Sequence, residues 1–268
     1  FQAEYLGRIA DMANLSGADF VLQSTAVNPA YISGALSRLA IPYVVNFGNH
    51  QFPGHEKWFG NPVEIIDFGP NLAILNFGDL WHDSASVSKA RQLLAARPDA
   101  QMKIINAFES NAPTEFLDRH QIRLIHDGHG LGQKVFKIGQ TPTLRVGKVN
   151  SVSFRVVRFK DNQVHSATYN DHPTKPIPFA RDAEPPLRLT HSAPNDGTSR
   201  RMATTITNSL LDPWPDGRLT WVLPRGEYAV RGGRIESNVV SDDRQFSVVT
   251  ARVNIPAHSQ TVVEVSPK

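Results

Sequence analysis

The chain has 268 residues, 40% of them hydrophobic, and a formal net charge of +3 at pH 7. This length suits two domains, and the hydrophobic content excludes a disordered chain. The sequence has no cysteine, which excludes disulfides, thiolate metal sites and a cysteine nucleophile.

Strands and helices alternate over the first part of the chain. Hydrophobic periodicity predicts helices over 3–14, 29–40, 84–99 and 114–121, and buried strands over 18–28, 41–51, 71–78, 102–108 and 122–130. We expect Ser84 or Ser86 to cap the third helix at its N-terminus. This alternation predicts an α/β sheet with helices packed on its faces.

Strands dominate the remainder of the sequence. Segments within 134–170 have the pattern of mostly antiparallel strands, and residues 171–187, with five prolines, predict a semi-rigid linker. Residues 188–268 alternate short strands with turns such as "DPWPDG", a pattern typical of a small β-sandwich. Within it, Trp221 is expected in the core, whereas Trp214 is expected to be exposed and is the only candidate for a carbohydrate contact.

Three polar loops follow predicted strands. They are "STAVN" (24–28), "FGNHQ" (47–51) and "HDGHG" (126–130). In sheets with parallel strands, ligands and reacting groups lie beyond the carboxyl ends of the strands. We therefore expect any functional site of this domain among these loops.

The second loop resembles the Gly-Asn-His block of the calcineurin-like metallophosphoesterases, a superfamily that includes the purple acid phosphatases. The resemblance continues in order, through a helix and strand, a Gly-His-x-His-like loop and the closing strands, over residues 44–78, 84–113, 116–133 and 154–169. It implies a four-layer α/β/β/α sandwich for residues 1–170, joined by the linker to the all-β sandwich domain of residues 188–268.

In that family, two divalent metals activate a hydroxide and bind the phosphoryl oxygens. The resemblance assigns Asn49 and His50 to the Gly-Asn-His block, where the Asn is a metal ligand and the His contacts the phosphate or protonates the leaving group. It assigns His129 to the first His of Gly-His-x-His, another metal ligand.

Other ligand positions have lost their metal-binding side chains. Leu131 replaces the second His of Gly-His-x-His, and Thr25 and Ala26 stand where the bridging Asp is expected. Residues 107–110, "AFES", occupy the loop that should hold another His. One amide oxygen and one imidazole are too few for a tight divalent site, which normally has three or four protein ligands. The sequence therefore predicts a pseudo-metallophosphoesterase without a cofactor, in which His50 is a remnant.

One alternative is a reduced metal site. Glu109 lies in the loop that lacks its His, and with Asn49 and His129 it would form a mononuclear site for Mn, Fe or Zn. Asp127 and His126 lie close by in the sequence. This alternative makes the chain an active phosphoesterase, a hydrolase with a rearranged site.

The other alternative is that these polar residues have no ligand at all. Asn49 and His50 would then hydrogen-bond the backbone of their loop, and the imidazoles of "HDGHG" would face solvent. Asp79, His82 and Asp83 have a metal-like clustering, but in the family this segment is a surface loop.

The sequence begins after the strand that carries the family's Asp-x-His pair. That strand is central in the resembling sheet, and its loss would leave backbone groups of two neighbours unpaired. We therefore expect residues upstream of Phe1, and a strand supplied by another chain is the alternative.

Together these features predict a non-catalytic binding or assembly module of an exported protein, extracellular or periplasmic. The expected partner is another protein or a second copy of the chain. Nucleic acid is not expected, because no block of five Lys or Arg residues occurs. A membrane span is not expected, because no apolar run approaches the ~18 residues that a spanning helix needs.

Overall fold

The computed structural model describes residues 3–25, 33–34, 36–48, 54–129, 134–146, 153–166, 177–178 and 186–268. The chain forms two compact units. The first contains residues 20–36 and 42–181, and the second contains residues 4–19, 37–41 and 182–268. The N-terminal helix thus belongs to the same unit as the C-terminal strands. The linker predicted over 171–187 lies mostly outside the described residues.

A six-stranded mixed sheet organises the first unit. Its strand order is β3-β4-β5-β6-β8-β7, and the four strands β4, β5, β6 and β8 are parallel while β3 and β7 run antiparallel at the edges. The bounds are β3 Val63–Phe68, β4 Leu72–Phe77, β5 Met102–Ala107, β6 Ile122–Asp127, β7 Lys134–Ile138 and β8 Thr141–Arg145. The predicted strands at 71–78, 102–108 and 122–130 are confirmed, whereas β3 was not predicted.

The central strands are apolar on both faces because both faces are covered. Ile74, Ile104 and Leu124 point to one side of the sheet and belong to one buried cluster. Leu75 and Ile105 point to the opposite side and belong to a second cluster. Two-sided burial explains why these strands have continuous hydrophobic runs rather than alternating ones.

Two helices cover one face of this sheet. They are α3, Ser84–Ala95, and α4, Thr114–His120; the shorter α2 is His55–Phe59 and the N-terminal α1 is Ala3–Leu15. Leu94 and Phe116 are buried against the strands. The prediction of Ser84 or Ser86 as N-cap of α3 is wrong, because Asp83 is the cap and its carboxylate accepts hydrogen bonds from the backbone N–H groups of residues 85 and 86. A carboxylate in this position also interacts favourably with the helix dipole.

Parallel strands β1, Val21–Thr25, and β2, Tyr43–Phe47, lie against the other face. Val44 is buried there with Ile74 and Ile104, and Leu22 packs against the same cluster. Two small antiparallel pairs complete the described strands of this unit: β9 Ser153–Phe154 with β12 Ile177–Pro178, and β10 Arg158–Lys160 with β11 Gln163–Ser166. The helix predicted over 29–40 lies mostly outside the described residues.

The second unit contains two antiparallel sheets, with orders β13-β14-β19-β16 and β15-β18-β17. Their strands are β13 Leu187–His191, β14 Met202–Asn208, β15 Trp214–Pro224, β16 Tyr228–Arg231, β17 Arg234–Val240, β18 Phe246–Ile255 and β19 Ser259–Pro267. Burial alternates along β14 and β18, as expected for strands with one interior face. The indole N–H of Trp221 on one sheet donates to Thr204 Oγ1 on the other at 2.8 Å.

The prediction that Trp214 is exposed is wrong. Its side chain is completely buried, because β15 begins at this residue and pairs it with Ile255 at the end of β18. The turn expected at "DPWPDG" is therefore partly strand, with a register shift between Trp214 and Gly217. The carbohydrate contact loses the one ring that suggested it. The core position predicted for Trp221 is confirmed.

Among the described helices, none is long and apolar enough to cross a bilayer.

Candidate functional site

Polar side chains cluster where four parallel strands of the first unit end. Strands β2, β4, β5 and β6 end at residues 47, 77, 107 and 127. Apolar side chains fill the earlier positions of these strands, and asparagine, histidine and aspartate replace them at the carboxyl ends. The polar edge falls where the sequence analysis expected a site.

Three buried asparagines form the interior part of this edge. Asn76, Asn106 and His126 are cross-strand neighbours on β4, β5 and β6, and they continue the face that carries Ile74 and Ile104. The Asn106 amide donates to Asn76 Oδ1 at 3.0 Å, and the Asn76 amide donates to the carbonyl of residue 45 on β2 at 2.9 Å. Asn46, also fully buried, faces Asn106 at a longer 3.5 Å. These amides join strand ends that come from two sheets.

His126 is held in one neutral tautomer. Its Nδ1 lies 2.7 Å from Asn106 Oδ1, which can only accept, so Nδ1 carries the hydrogen. The pKa of His126 falls from 6.5 to about 4, because burial disfavours the imidazolium and the neighbouring Asp127 carboxylate offsets this only in part. The imidazole is therefore uncharged at neutral pH and belongs to the amide network.

The carboxylate of Asp127 is buried and fully paired. It accepts from Ser110 Oγ at 2.6 Å and from the backbone N–H of His129 at 3.0 Å. Arg145, its neighbour on β8, places Nε at 2.8 Å and Nη2 at 2.7 Å from the same Asp127 oxygen, Oδ2. The guanidinium also lies over the Phe136 ring, 5.2 Å from its centroid. A fixed cation thus occupies the coordination space of the buried carboxylate.

Glu109 and His129 form a more exposed pair at the outer side of this edge. Glu109 Oε1 lies 2.5 Å from His129 Nδ1, and both side chains are about one-third exposed, at 31% and 30%. The second carboxylate oxygen of Glu109 accepts from Asn111 at 2.8 Å, and its backbone carbonyl accepts from the Trp81 indole at 2.9 Å. The Phe108 ring packs on the imidazole with centroids 4.6 Å apart. This pair is positioned by its neighbours, and Nε2 of the imidazole is left outside these contacts.

The structure therefore brings together two of the three residues of the predicted mononuclear site. Glu109 and His129 are in contact, whereas Asn49 and His50 lie outside the described residues. Asp83 caps α3, and it does not act with Asp79 and His82 as a metal cluster.

The described residues do not fit a two-metal centre. Within these ranges, no group of three or more His, Asp or Glu side chains has an arrangement that could hold a metal ion. Asp127 is bonded to Arg145, and Glu109 uses its two oxygens for His129 and Asn111. A dication at this edge would have to displace those partners.

Sequence reasoning missed the asparagine network and Arg145. A signal for the network exists in the sequence, since "VVNF", "ILNF" and "IINA" each place an asparagine after two β-branched or leucine residues. Three buried strands with an amide at the same position predict amides that meet between sheets. No local pattern identifies Arg145, because its partner is defined by the pairing of β6 with β8.

Comparisons with known proteins give one distant likeness. No family model matches the chain, and no curated protein matches it. Among solved structures the chain is similar to GAP50 of Plasmodium, described as the anchor in the inner membrane complex. The identity is 11%, the match covers 78% of this chain and 80% of that one, and the TM-score is 0.38. A likeness of this degree establishes neither fold family nor function.

Proposed function

We propose that the chain is a pseudo-metallophosphoesterase that serves as a non-catalytic binding or assembly module. Its first unit would have the four-layer α/β/β/α architecture of the calcineurin-like superfamily, and its C-terminal strands would form a β-sandwich that docks to a protein partner or a second copy. The host protein would be exported, to the periplasm or the cell exterior, and the absence of cysteine is compatible with that location.

The observation that carries this proposal is the ion pair between Asp127 and Arg145. The carboxylate is completely buried, and the guanidinium contacts it through two nitrogens. A divalent cation at this strand end would meet an arginine charge that cannot be removed by deprotonation. It would also have to break a buried pair whose separation leaves an uncompensated charge. The arrangement favours a closed protein edge over a metal centre.

The sequence supports the same conclusion at positions beyond the described residues. Ala26 stands where the resembling family has a bridging Asp, and Leu131 stands where it has a ligating His. Within the described chain, Ala107 ends β5 as a buried apolar residue at the start of the loop that would supply another His. Each replacement removes a donor atom, and no described side chain of the opposite edge substitutes for it.

Hydrolysis assays test the proposal. The wild-type chain and His50→Ala are incubated with an activated phosphodiester and an activated phosphomonoester, each with Mn, Fe or Zn. We expect both proteins to give the rate of the metal-only blank. Metal-dependent hydrolysis that is lost in His50→Ala would contradict the non-catalytic assignment.

A second candidate function is supported by the contact between Glu109 and His129. A carboxylate that fixes Nδ1 of an imidazole orients Nε2 toward a ligand, which is a common outer-shell arrangement at metal sites. This favours, as the alternative, a phosphoesterase with one Mn, Fe or Zn ion. Titration calorimetry with each ion compares the wild-type chain with Glu109→Gln. Metal binding that Glu109→Gln weakens supports the alternative, and absence of binding in both removes it.

A further inference from the structure

Strand β17 is an open edge of the second unit. It pairs with β18 on one side, and no described strand pairs with its other side. It contains neither Lys nor Pro, two residues that commonly protect such edges. A bulge between Ile235 and Ser237 interrupts the ladder, but Ser237–Val240 follows in regular register with β18. The unpaired backbone of this regular part can accept another strand.

Exposed apolar side chains concentrate on the same strand. Ile235, Val239 and Val240 are 40%, 59% and 42% exposed. Ile235 and Val240 pair with Ala251 and Ser247, which are buried, so both lie on the interior side of the sheet and reach its open edge. Extending the sheet by one strand would therefore also extend its core.

Charges at the two ends of β17 are opposite in sign. Arg234 begins the strand, and Asp242 follows its last residue by two positions. Neither side chain has an ion pair within the described chain. A two-fold axis at Asn238 places Arg234 of each copy opposite Asp242 of the other, since both lie four positions from the axis. The strand is thus complementary in charge to an antiparallel copy of itself.

We propose that β17 is the interface of a two-fold homodimer in which two copies pair this strand antiparallel and join their three-stranded sheets. The pairing uses backbone hydrogen bonds for affinity, Ile235 and Val240 for apolar contact, and two Arg234–Asp242 pairs for register. The inference deepens the proposed assembly role and rests on it, because it names a second copy as the partner.

A charge-exchange experiment on the full chain tests the interface. Sedimentation equilibrium gives the mass of the wild type, Arg234→Asp and Asp242→Arg, each alone and as an equimolar mixture of the two variants. The wild type is expected to dimerise. Each variant alone places like charges opposite each other twice, so its dimer should dissociate about tenfold more readily or more. In the mixture, both contacts become acid–base again and a heterodimer should form.

A pair of valine variants gives the matched control. Val239→Lys puts a charge on the open edge and should abolish the dimer. Val262 has a similar exposure of 51%, but its strand β19 has neighbours on both sides, so Val262→Lys should leave the dimer intact. Circular dichroism verifies that every variant is folded.

A monomeric wild type, or a mixture that stays monomeric while the wild type dimerises, overturns the β17 interface. Equal effects of Val239→Lys and Val262→Lys overturn it as well. These results are separate from the hydrolysis assay, which decides the non-catalytic assignment whatever the oligomeric state.

Discussion

Replacing Arg145 with methionine should destabilise the first unit strongly. The change removes the cation that contacts Asp127, whose carboxylate is completely buried, and keeps most of the aliphatic packing of the side chain. Ser110 and one backbone N–H remain as hydrogen-bond donors, but neither carries a charge. Leaving a buried carboxylate unpaired lowers the free energy of unfolding by about 3–5 kcal/mol.

The chain contains a well-matched control in Arg97. This arginine has the same 27% side-chain exposure as Arg145 and also makes two contacts, at 2.7 and 2.9 Å, to the Asp67 carboxylate. The difference is the acid, because Asp67 is 49% exposed and Asp127 is completely buried. An exposed pair contributes about 0–1 kcal/mol, so Arg97→Met should have little effect.

Urea denaturation of four proteins measures both effects. They are the wild type, Arg145→Met, Arg97→Met and the double variant Arg145→Met/Asp127→Asn. Because the double variant removes both charges, it should recover part of the stability lost in Arg145→Met. Equal losses for Arg145→Met and Arg97→Met, both near 1 kcal/mol or less, would refute the view that burial makes the Asp127 pair critical.

Three further predictions concern other parts of the molecule. His126 has a folded pKa of about 4 against an ordinary 6.5, so the unfolded chain binds the extra proton over this window and stability falls as the pH falls through it. Between pH 7 and 5 the free energy of unfolding should drop by about 2 kcal/mol from this group, and His126→Asn should show a shallower pH dependence, whereas parallel curves would contradict the assignment. Tyr228→Phe removes a 2.6 Å hydrogen bond to the carbonyl of Pro224 and should cost about 1 kcal/mol in urea denaturation, an effect that would be absent if the hydroxyl were solvated in the folded protein. Gly17 has φ of +74°, and a Cβ there would lie 2.6 Å from Arg252 Nη1, so Gly17→Ala should lower the free energy of unfolding by about 1–2 kcal/mol, and an unchanged value would show that this turn does not need glycine.

The central strands could be predicted from the sequence because burial on both faces gives continuous apolar runs. β4, β5 and β6 are such strands, and the helices between them carry clear periodicity. β17 was missed because an edge strand with only partial burial has no such pattern: five of its seven residues are exposed. The same exposure is what makes it a candidate interface.

The candidate site was predictable only where the sequence neighbourhood is enough. The contact of Glu109 with His129 follows from two loops at the ends of adjacent parallel strands, β5 and β6. Arg145 could not be foreseen, because its contact with Asp127 depends on strand order. Trp214 was misplaced because prolines on both sides suggested an exposed turn, whereas pairing with Ile255 draws the ring into the interior.

The central claim is that the strand-end edge is closed by protein partners and holds no metal centre. The most direct test is the metal content per chain, measured by elemental analysis after incubation with Mn, Fe and Zn and subsequent desalting. The account predicts a value near zero for the wild type. A stoichiometry near one would favour the reduced site at Glu109 and His129, and a stoichiometry near two would contradict the non-catalytic assignment altogether.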